Sequence, residues 1–364
     1  MLQTDFDLQF IKRCFELAER GKGTVSPNPK VGSVIVKNNQ IISEGWHQYF
    51  GGLHAERNAI NAANENIEDS TLYCNLEPCC HTNKKTPPCV PLIIQSKISR
   101  IVISSYDPNP DVNGKGVQMM RDEGIEVITE VLKDQGDELN KFFFKKIKTG
   151  IPYIALKIAT SSNNKITKSI GSQTWITGLE ANCFVHELRS EYDAILVGAG
   201  TINIDNPQLT VRLVKGTNPY RVIIDGNLSS SIHSNVFNDK DFDRTIIFSK
   251  ENSNPETISV LGKKGIKIFE QKSNNYGKLN IKKILHLLGE QKINSILVEG
   301  GADIFTQFIS EGLFDEIFHI KSEQFFRKGL DAFDSDIELY SELVSSTKLG
   351  RDDLFIYKKR SDSC

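Results

Sequence analysis

One imidazole and two thiols fall at a spacing that suits a catalytic metal: His54-Ala55-Glu56, then Glu77-Pro78-Cys79, then Pro87-Pro88-Cys89. Zinc prefers four ligands, so one His and two Cys leave a position open for water. The ion draws the pKa of that water toward neutrality and makes a nucleophile available. A carboxyl two residues after the His can take the water's proton and hand it to a leaving amine, first as base and then as acid. His54, Cys79 and Cys89 are therefore the expected metal ligands, and Glu56 the expected proton shuttle, in the hydrolytic removal of an amine. Cys74, Cys80 and His81 compete for places in the ligand set. A fourth protein ligand from Cys80 or His81 would make the site structural.

Zinc nucleobase deaminases combine H-x-E with P-C-x-x-C. The first half is met here, but Thr82 stands where the second cysteine would fall, and nine residues separate Cys79 from Cys89. Cys89 is preferred because Pro87-Pro88 restricts the approach of the chain and a helix over 91–97 is expected just beyond it. A nearby helix N-terminus stabilises a thiolate. Residues i and i+2 of a regular helix point apart, so His54 is expected at the very edge of the helix 54–63 if it and Glu56 are to face one metal.

Further along, the chemical signal is weaker. Gly198-Ala199-Gly200-Thr201-Ile202-Asn203 has Asn where a dinucleotide-binding motif needs its third Gly. Ile296-Leu297-Val298-Glu299-Gly300-Gly301 is the better phosphate cradle, a strand ending in two glycines before a helix. Backbone N–H groups there can take a pyrophosphate, and Gly permits close approach. Read plainly, it is a tight strand-to-helix turn.

The elements that must position these groups alternate. An amphipathic helix opens the chain. Strands are expected at 31–36 and 40–45, turned by Asn38-Asn39, and at 70–76, 100–104 and 126–130, with helices at 54–63, 91–97 and 117–123. The strand–helix–strand unit within 97–130 predicts parallel pairing. Near 140–148 the text becomes NKFFFKKIK, and Gly150 and Pro152 then favour an extended crossing. Strands follow at 153–158, 194–197, 221–224, 245–248, 295–298 and 316–320, with helices at 179–190, 281–288 and 304–310. Loops rich in Ser, Asn and Lys are expected at 226–235 and 250–256. The reading is two α/β domains in series, 1–148 and 149–364.

The 364 residues are 39% hydrophobic and 25% charged, with a net charge of −2, which suits a soluble globular chain. That charge gives no basis for capturing nucleic acid or membrane. No apolar run approaches the roughly 18 residues of a membrane span. The first residues lack the basic start of an export signal. Seven cysteines, four of them between Cys74 and Cys89, then read as reduced cytoplasmic thiols serving a metal or catalysis.

Taken together, Ser26–Gly32 (SPNPKVG), His54–Glu56, Leu76–Cys79, Thr86–Cys89 and Asp107–Pro110 (DPNP) resemble the deaminase half of the bifunctional riboflavin-biosynthesis deaminase/reductase family. Lys157, Trp175–Gly178, His186–Arg189, Gly198–Arg212, Val222–Gly226 and Val298–Gly301 are similar to its reductase half. The resemblance implies a cytidine-deaminase-like α/β/α domain followed by a dihydrofolate-reductase-like α/β domain. It implies Zn2+ held by His54, Cys79 and Cys89, with Glu56 as shuttle, acting on a diaminopyrimidinone ribosyl phosphate. Asn28 and His47 would hold the pyrimidine and ribose phosphate, and Lys85 would contact phosphate, with Lys84 the alternative because the loop is one residue longer than the family's.

In the second half the resemblance implies NADPH and reduction of the ribosyl group to ribityl. NADPH contacts would be Ala159, Trp175, Thr201, Asp205, Gly226 and a helix start comprising Gly301, Ala302, Asp303, Ile304, Phe305, Thr306 and Gln307. Substrate contacts would be Gln173, Arg189, Leu209, Arg212 and Glu299, the arginines binding phosphate through the guanidinium fork. Lys157 and Glu299 are the candidates for polarising the sugar and handling its proton. Ser249 and Lys250 could face the 2′-phosphate. Where the family reads S-L-D-G-K, this chain has Ser161-Ser162-Asn163-Asn164-Lys165, which alters the charge and turn options of that loop. A homo-oligomer is implied as well. The rival readings are a zinc nucleoside or base deaminase with a non-catalytic second half, and a zinc-stabilised nucleotide-binding module.

Overall fold

The computed structural model describes residues 5–82, 86–169, 171–332 and 337–360. It divides into two compact units, Met1–Ile151 and Pro152–Cys364.

The first unit holds a five-stranded sheet of β1 (Gly32–Lys37), β2 (Gln40–Trp46), β3 (Thr71–Leu76), β4 (Arg100–Ser105) and β5 (Glu126–Ile128). Their order is β2-β1-β3-β4-β5. β1 and β2 form an antiparallel hairpin turned by Asn38 and Asn39, whose φ values of 52° and 62° are those a type I′ turn demands. β3, β4 and β5 are parallel. The helices are α1 (Asp5–Glu19), α2 (Ala55–Ala62), α3 (Cys89–Gln95), α4 (Lys115–Asp122), α5 (Lys133–Leu139) and α6 (Lys141–Thr149).

Strand side chains alternate between two covered faces. Val34, Val36, Tyr73 and Val102 meet Phe10, Ile11, Cys14 and Leu17 of α1. Ile35, Leu72, Ile101 and Ile103 meet Ala59 of α2, Val90 and Ile93 of α3, and Val117 and Met120 of α4. Each fully buried aliphatic side chain contributes roughly 1.5–3 kcal/mol of transfer free energy, so both layers are needed. α1 lies directly on β1 because Gly32 has no side chain. A Cβ there would stand 2.2 Å from the Cys14 carbonyl oxygen.

One local expectation needs correction. α3 starts at Cys89 rather than at Pro91. Proline is tolerated in a first helical turn, where its missing N–H has no intrahelical partner to lose, so Pro91 does not mark the start. The NKFFFKKIK stretch forms most of α6 (Lys141–Thr149), and the helix ends at Gly150 (φ 76°), where a break was expected. Asn140 anchors this segment by accepting from the Lys30 N–H (2.8 Å) and donating to the Lys30 carbonyl (3.0 Å).

The second unit is a nine-stranded sheet: β6 (Tyr153–Thr160), β7 (Ala194–Gly198), β8 (Tyr220–Ile224), β9 (Thr245–Lys250), β10 (Lys267–Gln271), β11 (Ser295–Val298), β12 (Glu316–Lys321), β13 (Ser341–Leu349) and β14 (Asp352–Lys359). Their order is β10-β9-β8-β7-β11-β6-β12-β14-β13. The first seven in that order run parallel, and β14 and β13 are antiparallel. Helices α7 (Leu179–Glu191), α8 (Ala199–Asp205), α9 (Pro255–Lys263), α10 (Ile281–Glu290) and α11 (Ala302–Ser310) serve as connections. The chain steps outward from β7 to β10 and returns to insert β11 between β7 and β6. Open parallel sheets bind ligands at such a reversal, beyond the carboxyl ends of the strands.

The altered loop at 161–165 keeps a tight turn. Asn164 takes the left-handed conformation (φ 63°) that a glycine would supply, and Asn is the residue that tolerates it best after Gly. Asn163 accepts from the Phe326 N–H (3.1 Å) and donates to the Phe326 carbonyl (2.8 Å). A carboxylate could make only the first of these.

Candidate active sites

In the first unit the sequence positions each ligand by a different device. His54 is the N-cap of α2, with extended backbone (φ −73°, ψ 159°), so its ring is free of the helical i, i+2 divergence from Glu56. Cys79 follows β3 by three residues. Cys89 opens α3, and its N–H and that of Val90 both donate to the Cys79 carbonyl (3.0 and 3.2 Å), which draws the two cysteines together across the loop. The metal-binding atoms of His54, Cys79 and Cys89 lie within 4.8 Å of one another. His54 Nδ1 is 3.4 Å from Cys79 Sγ and 3.6 Å from Cys89 Sγ. A tetrahedral ion with Zn–S of about 2.3 Å and Zn–N of about 2.0 Å requires N···S near 3.5 Å, so this donor set fits zinc.

Glu56, in the first turn of α2, is buried. Among the described residues no other His, Cys, Asp or Glu joins the three ligands. The Cys80 thiol is instead directed at the Asp111 carbonyl (3.6 Å). Cys74 is fully buried on β3, and burial raises its thiol pKa. Glu77 is spent on structure. Its carboxylate accepts from the N–H groups of Gly114 (2.9 Å), Val117 (3.2 Å) and Asp107 (3.4 Å), which pins the loop after β3 to the start of α4.

Asn28 and His47 stand beside this centre. The His47 ring meets that of His54 edge-on at 5.6 Å. His47 Nδ1 lies 2.9 Å from the Leu53 carbonyl, which can only accept, so Nδ1 carries the hydrogen and Nε2 accepts from Asn28 Nδ2 (3.0 Å). Burial lowers the His47 pKa and favours that neutral tautomer. Lys85 lies outside the described residues. His81, weighed above only as a rival ligand, buries Nδ1 without a hydrogen-bond partner, two residues beyond Cys79. A lone His in a loop offered no sequence signal for that.

In the second unit, Lys157 on β6 and Glu299 just after β11 stand side by side, with Lys157 Nζ 3.2 Å from Glu299 Oε2. Arg189 of α7 grips the same carboxylate with Nε (2.6 Å) and Nη2 (2.9 Å), and donates Nη1 to the Thr210 carbonyl (3.3 Å). Burial alone would raise the Glu299 pKa, but Arg189 and Lys157 hold it down at about 2. Arg212 donates Nη1 to Thr210 Oγ1 (2.7 Å) and its N–H to His186 Nδ1 (2.9 Å). Burial, Arg189 and Arg212 lower the His186 pKa to about 4, so this imidazole is neutral and accepts. Three of the five Arg189 N–H groups are thus committed within the chain, which leaves two for the phosphate expected there.

Beyond β8 and β9 lies a cavity of about 300 Å³, lined by Ala199, Gly226, Lys250, Lys278, Asp303 and Gln307 among others. α11 starts at Ala302 with Gly301 as its N-cap. A Cβ on Gly301 would meet nothing within 4 Å, whereas one on Gly300 would strike Ile304 at 2.7 Å. Gly300 is thus required by packing, and Gly301 leaves an open cradle at a helix N-terminus, which fits a pyrophosphate. Asp225, buried at the end of β8, is used up by the N–H groups of Ser229 (2.8 Å) and Ser230 (2.7 Å). Lys250 Nζ, held by Asn227 (2.8 Å), supplies positive charge at the rim instead. Ser249, by contrast, is fully buried.

The remaining expected contacts fall as follows. Ala159 lies two residues from Lys157 on the same face of β6, Thr201 lies in the first turn of α8, and Asp205 ends that helix, where burial raises its pKa and Lys157 offsets only part of the rise. Ala302, Asp303, Ile304, Thr306 and Gln307 lie along the first turns of α11. Gln173 is exposed and Trp175 is 74% exposed, so Trp175 is no core residue. Leu209 and Phe305 turn inward at 2% and 3% exposure.

A family model described as the cytidine and deoxycytidylate deaminase zinc-binding region matches residues 4–105, and the RibD C-terminal domain matches residues 152–320. The chain is 41% identical over 309 residues to the riboflavin biosynthesis protein RibD of Bacillus amyloliquefaciens, covering 85% of this chain and 82% of that one. It is 38% identical over 362 residues to RibD of Aquifex aeolicus, covering 98% and 99%. Its fold is similar to a crystal structure from Thermotoga maritima, a diaminohydroxyphosphoribosylaminopyrimidine deaminase/5-amino-6-(5-phosphoribosylamino)uracil reductase, with a TM-score of 0.86, 39% identity and 98% and 99% coverage. RibD of Acinetobacter baumannii gives a TM-score of 0.89 at 30% identity, again over 98% and 99%.

Proposed function

The chain belongs to the RibD family of bifunctional riboflavin-biosynthesis enzymes, a zinc deaminase followed by an NADPH-dependent reductase, and from that premise we propose which of its residues do the work. The substrates are taken to be those in the name of the Thermotoga enzyme, deaminated first and reduced second.

In the deaminase, His54, Cys79 and Cys89 hold the ion, and the N···S separations of 3.4 and 3.6 Å carry this reading. Zinc when bound supplies water that ionises near neutral pH. Glu56 would carry a proton from the attacking water to the departing amine. Asn28 and His47 orient the pyrimidine, and Lys85 meets the phosphate.

In the reductase, NADPH supplies hydride. Gly301 and the first turn of α11 hold its pyrophosphate, while Lys250 and Lys278 at the cavity rim favour the 2′-phosphate. With Glu299 fixed as a carboxylate, Lys157 is the group that gives a proton to the sugar, and Glu299 is its counter-ion and the anchor of Arg189. Arg212 and the uncommitted N–H groups of Arg189 receive the ribose phosphate.

The test is a two-signal assay on the purified chain. Supplied with the diaminopyrimidine ribosyl phosphate, it releases ammonia first and then oxidises NADPH. Zinc chelation stops both signals, and the deaminated substrate restores the second alone. NADPH oxidation before ammonia release would refute the assignment.

No helix among the described residues is long and apolar enough to cross a membrane. Cys14, Cys74, Cys80 and Cys183 are free thiols, which supports a cytoplasmic location. The edge strand β13, with Leu343 54% and Val344 47% exposed, supports a homo-oligomer, to be tested by light scattering.

A further inference from the structure

We infer that Thr86 is a positioning residue for the metal: its hydroxyl takes the Nε2 hydrogen of His54 and so commits Nδ1 to the ion. The inference rests on the zinc site proposed above and adds a residue to it. A neutral imidazole has one donor and one acceptor nitrogen, and which is which depends on the partner of each. Here Nδ1 is the nitrogen beside both sulfurs, at 3.4 and 3.6 Å. Nε2, on the other side of the ring, lies 3.1 Å from Thr86 Oγ1. A hydroxyl can accept that hydrogen, which leaves the Nδ1 lone pair to the metal.

The backbone explains why such a hold is needed. His54 caps α2 in an extended conformation and stands outside the helical ladder. Its ring is only half-buried, so packing alone does not fix the orientation. Thr86 comes from the segment that delivers Cys89, with Pro87 and Pro88 between them. One short, stiff stretch thereby supplies a ligand and orients another. Metal-ligating histidines commonly donate their second N–H, and losing that partner costs 10–100-fold in metal affinity.

The experiment compares Thr86→Val, which keeps the shape and removes the hydroxyl, with Thr86→Ser, which keeps the hydroxyl. Zinc affinity of the full chain is measured by competition with a chromophoric chelator, and the metal-free proteins are melted in parallel. Thr86→Val is expected to bind zinc 10–100-fold more weakly, while Thr86→Ser stays close to the parent and all three melt alike without metal. Equal affinity of parent and Thr86→Val would overturn the role of Thr86 and leave the zinc site standing. So would a Thr86→Ser loss as large as that of Thr86→Val, or a lower melting temperature for metal-free Thr86→Val, since either points to packing. A parent chain that takes up no zinc would overturn the metal site itself, and this inference with it.

Discussion

At Glu299 the charge balance determines what the residue can do. Burial works against its carboxylate, yet Arg189 and Lys157 hold its pKa at about 2, so near neutral pH it has no proton to give. Lys157→Ala is therefore expected to lower the reductase kcat on the deaminated substrate by about 10²–10⁴ while zinc content and ammonia release stay unchanged. Unaltered NADPH oxidation would remove Lys157 from the mechanism. Glu299→Gln leaves two buried cations without their counter-charge, and about 3–5 kcal/mol of stability should go with it, read from denaturant unfolding. The proposed zinc ligands and Glu56 were legible in the sequence, because H-x-E and two Pro-Cys pairs suit a metal at that spacing, with Cys74, Cys80 and His81 as rivals. The sequence also required His54 at a helix edge, and the N-cap position meets that requirement. That the Arg189 fork is partly occupied was not legible, because the partner lies 110 residues away in sequence. Nor was the inward turn of Leu209, a left-handed residue (φ 53°) whose side chain fills the core.

Among the elements, the buried strands were legible because continuous Val/Ile/Leu runs mark a sheet covered on both faces. The C-terminal hairpin of β13 and β14 was not. β13 is exposed along nearly its whole length and shows no apolar alternation. β10 is short and mostly half-exposed, and gives as little signal. Gly301 and Asn164 allow tests at this scale. Gly301 has ordinary extended backbone (φ −81°, ψ −178°) and open space about it, so Gly301→Val should leave the fold intact. Its side chain would occupy the cradle at the start of α11, and NADPH binding measured by fluorescence titration should weaken at least ~10-fold, about 1.4 kcal/mol. Unchanged NADPH affinity would move the pyrophosphate elsewhere. Asn164→Gly should hold or raise the melting temperature, whereas Asn164→Val, β-branched in left-handed backbone, should cost about 1–3 kcal/mol.

Across the whole molecule the chemistry divides as the fold does, with each unit carrying its own set of groups. The reductase unit also carries a pH signature. Burial together with neighbouring cations lowers His186 and His319 from 6.5 to about 4. Between those values the unfolded chain binds protons that the folded one does not, so stability present above pH 6.5 is lost as the pH falls toward 4. Glu299, lowered from 4.5 to about 2, extends the loss below pH 4.5. Urea midpoints should fall steadily through this range, and less steeply in His319→Gln. A flat profile would mean that these imidazoles are protonated in the native state. The most direct measurement of all is made on the full chain carrying Glu56→Gln. The account predicts one zinc retained per chain, ammonia release reduced by about 10²–10⁴, and undiminished NADPH oxidation when the deaminated substrate is supplied. Ammonia release at the parent rate, with zinc still bound, would contradict it.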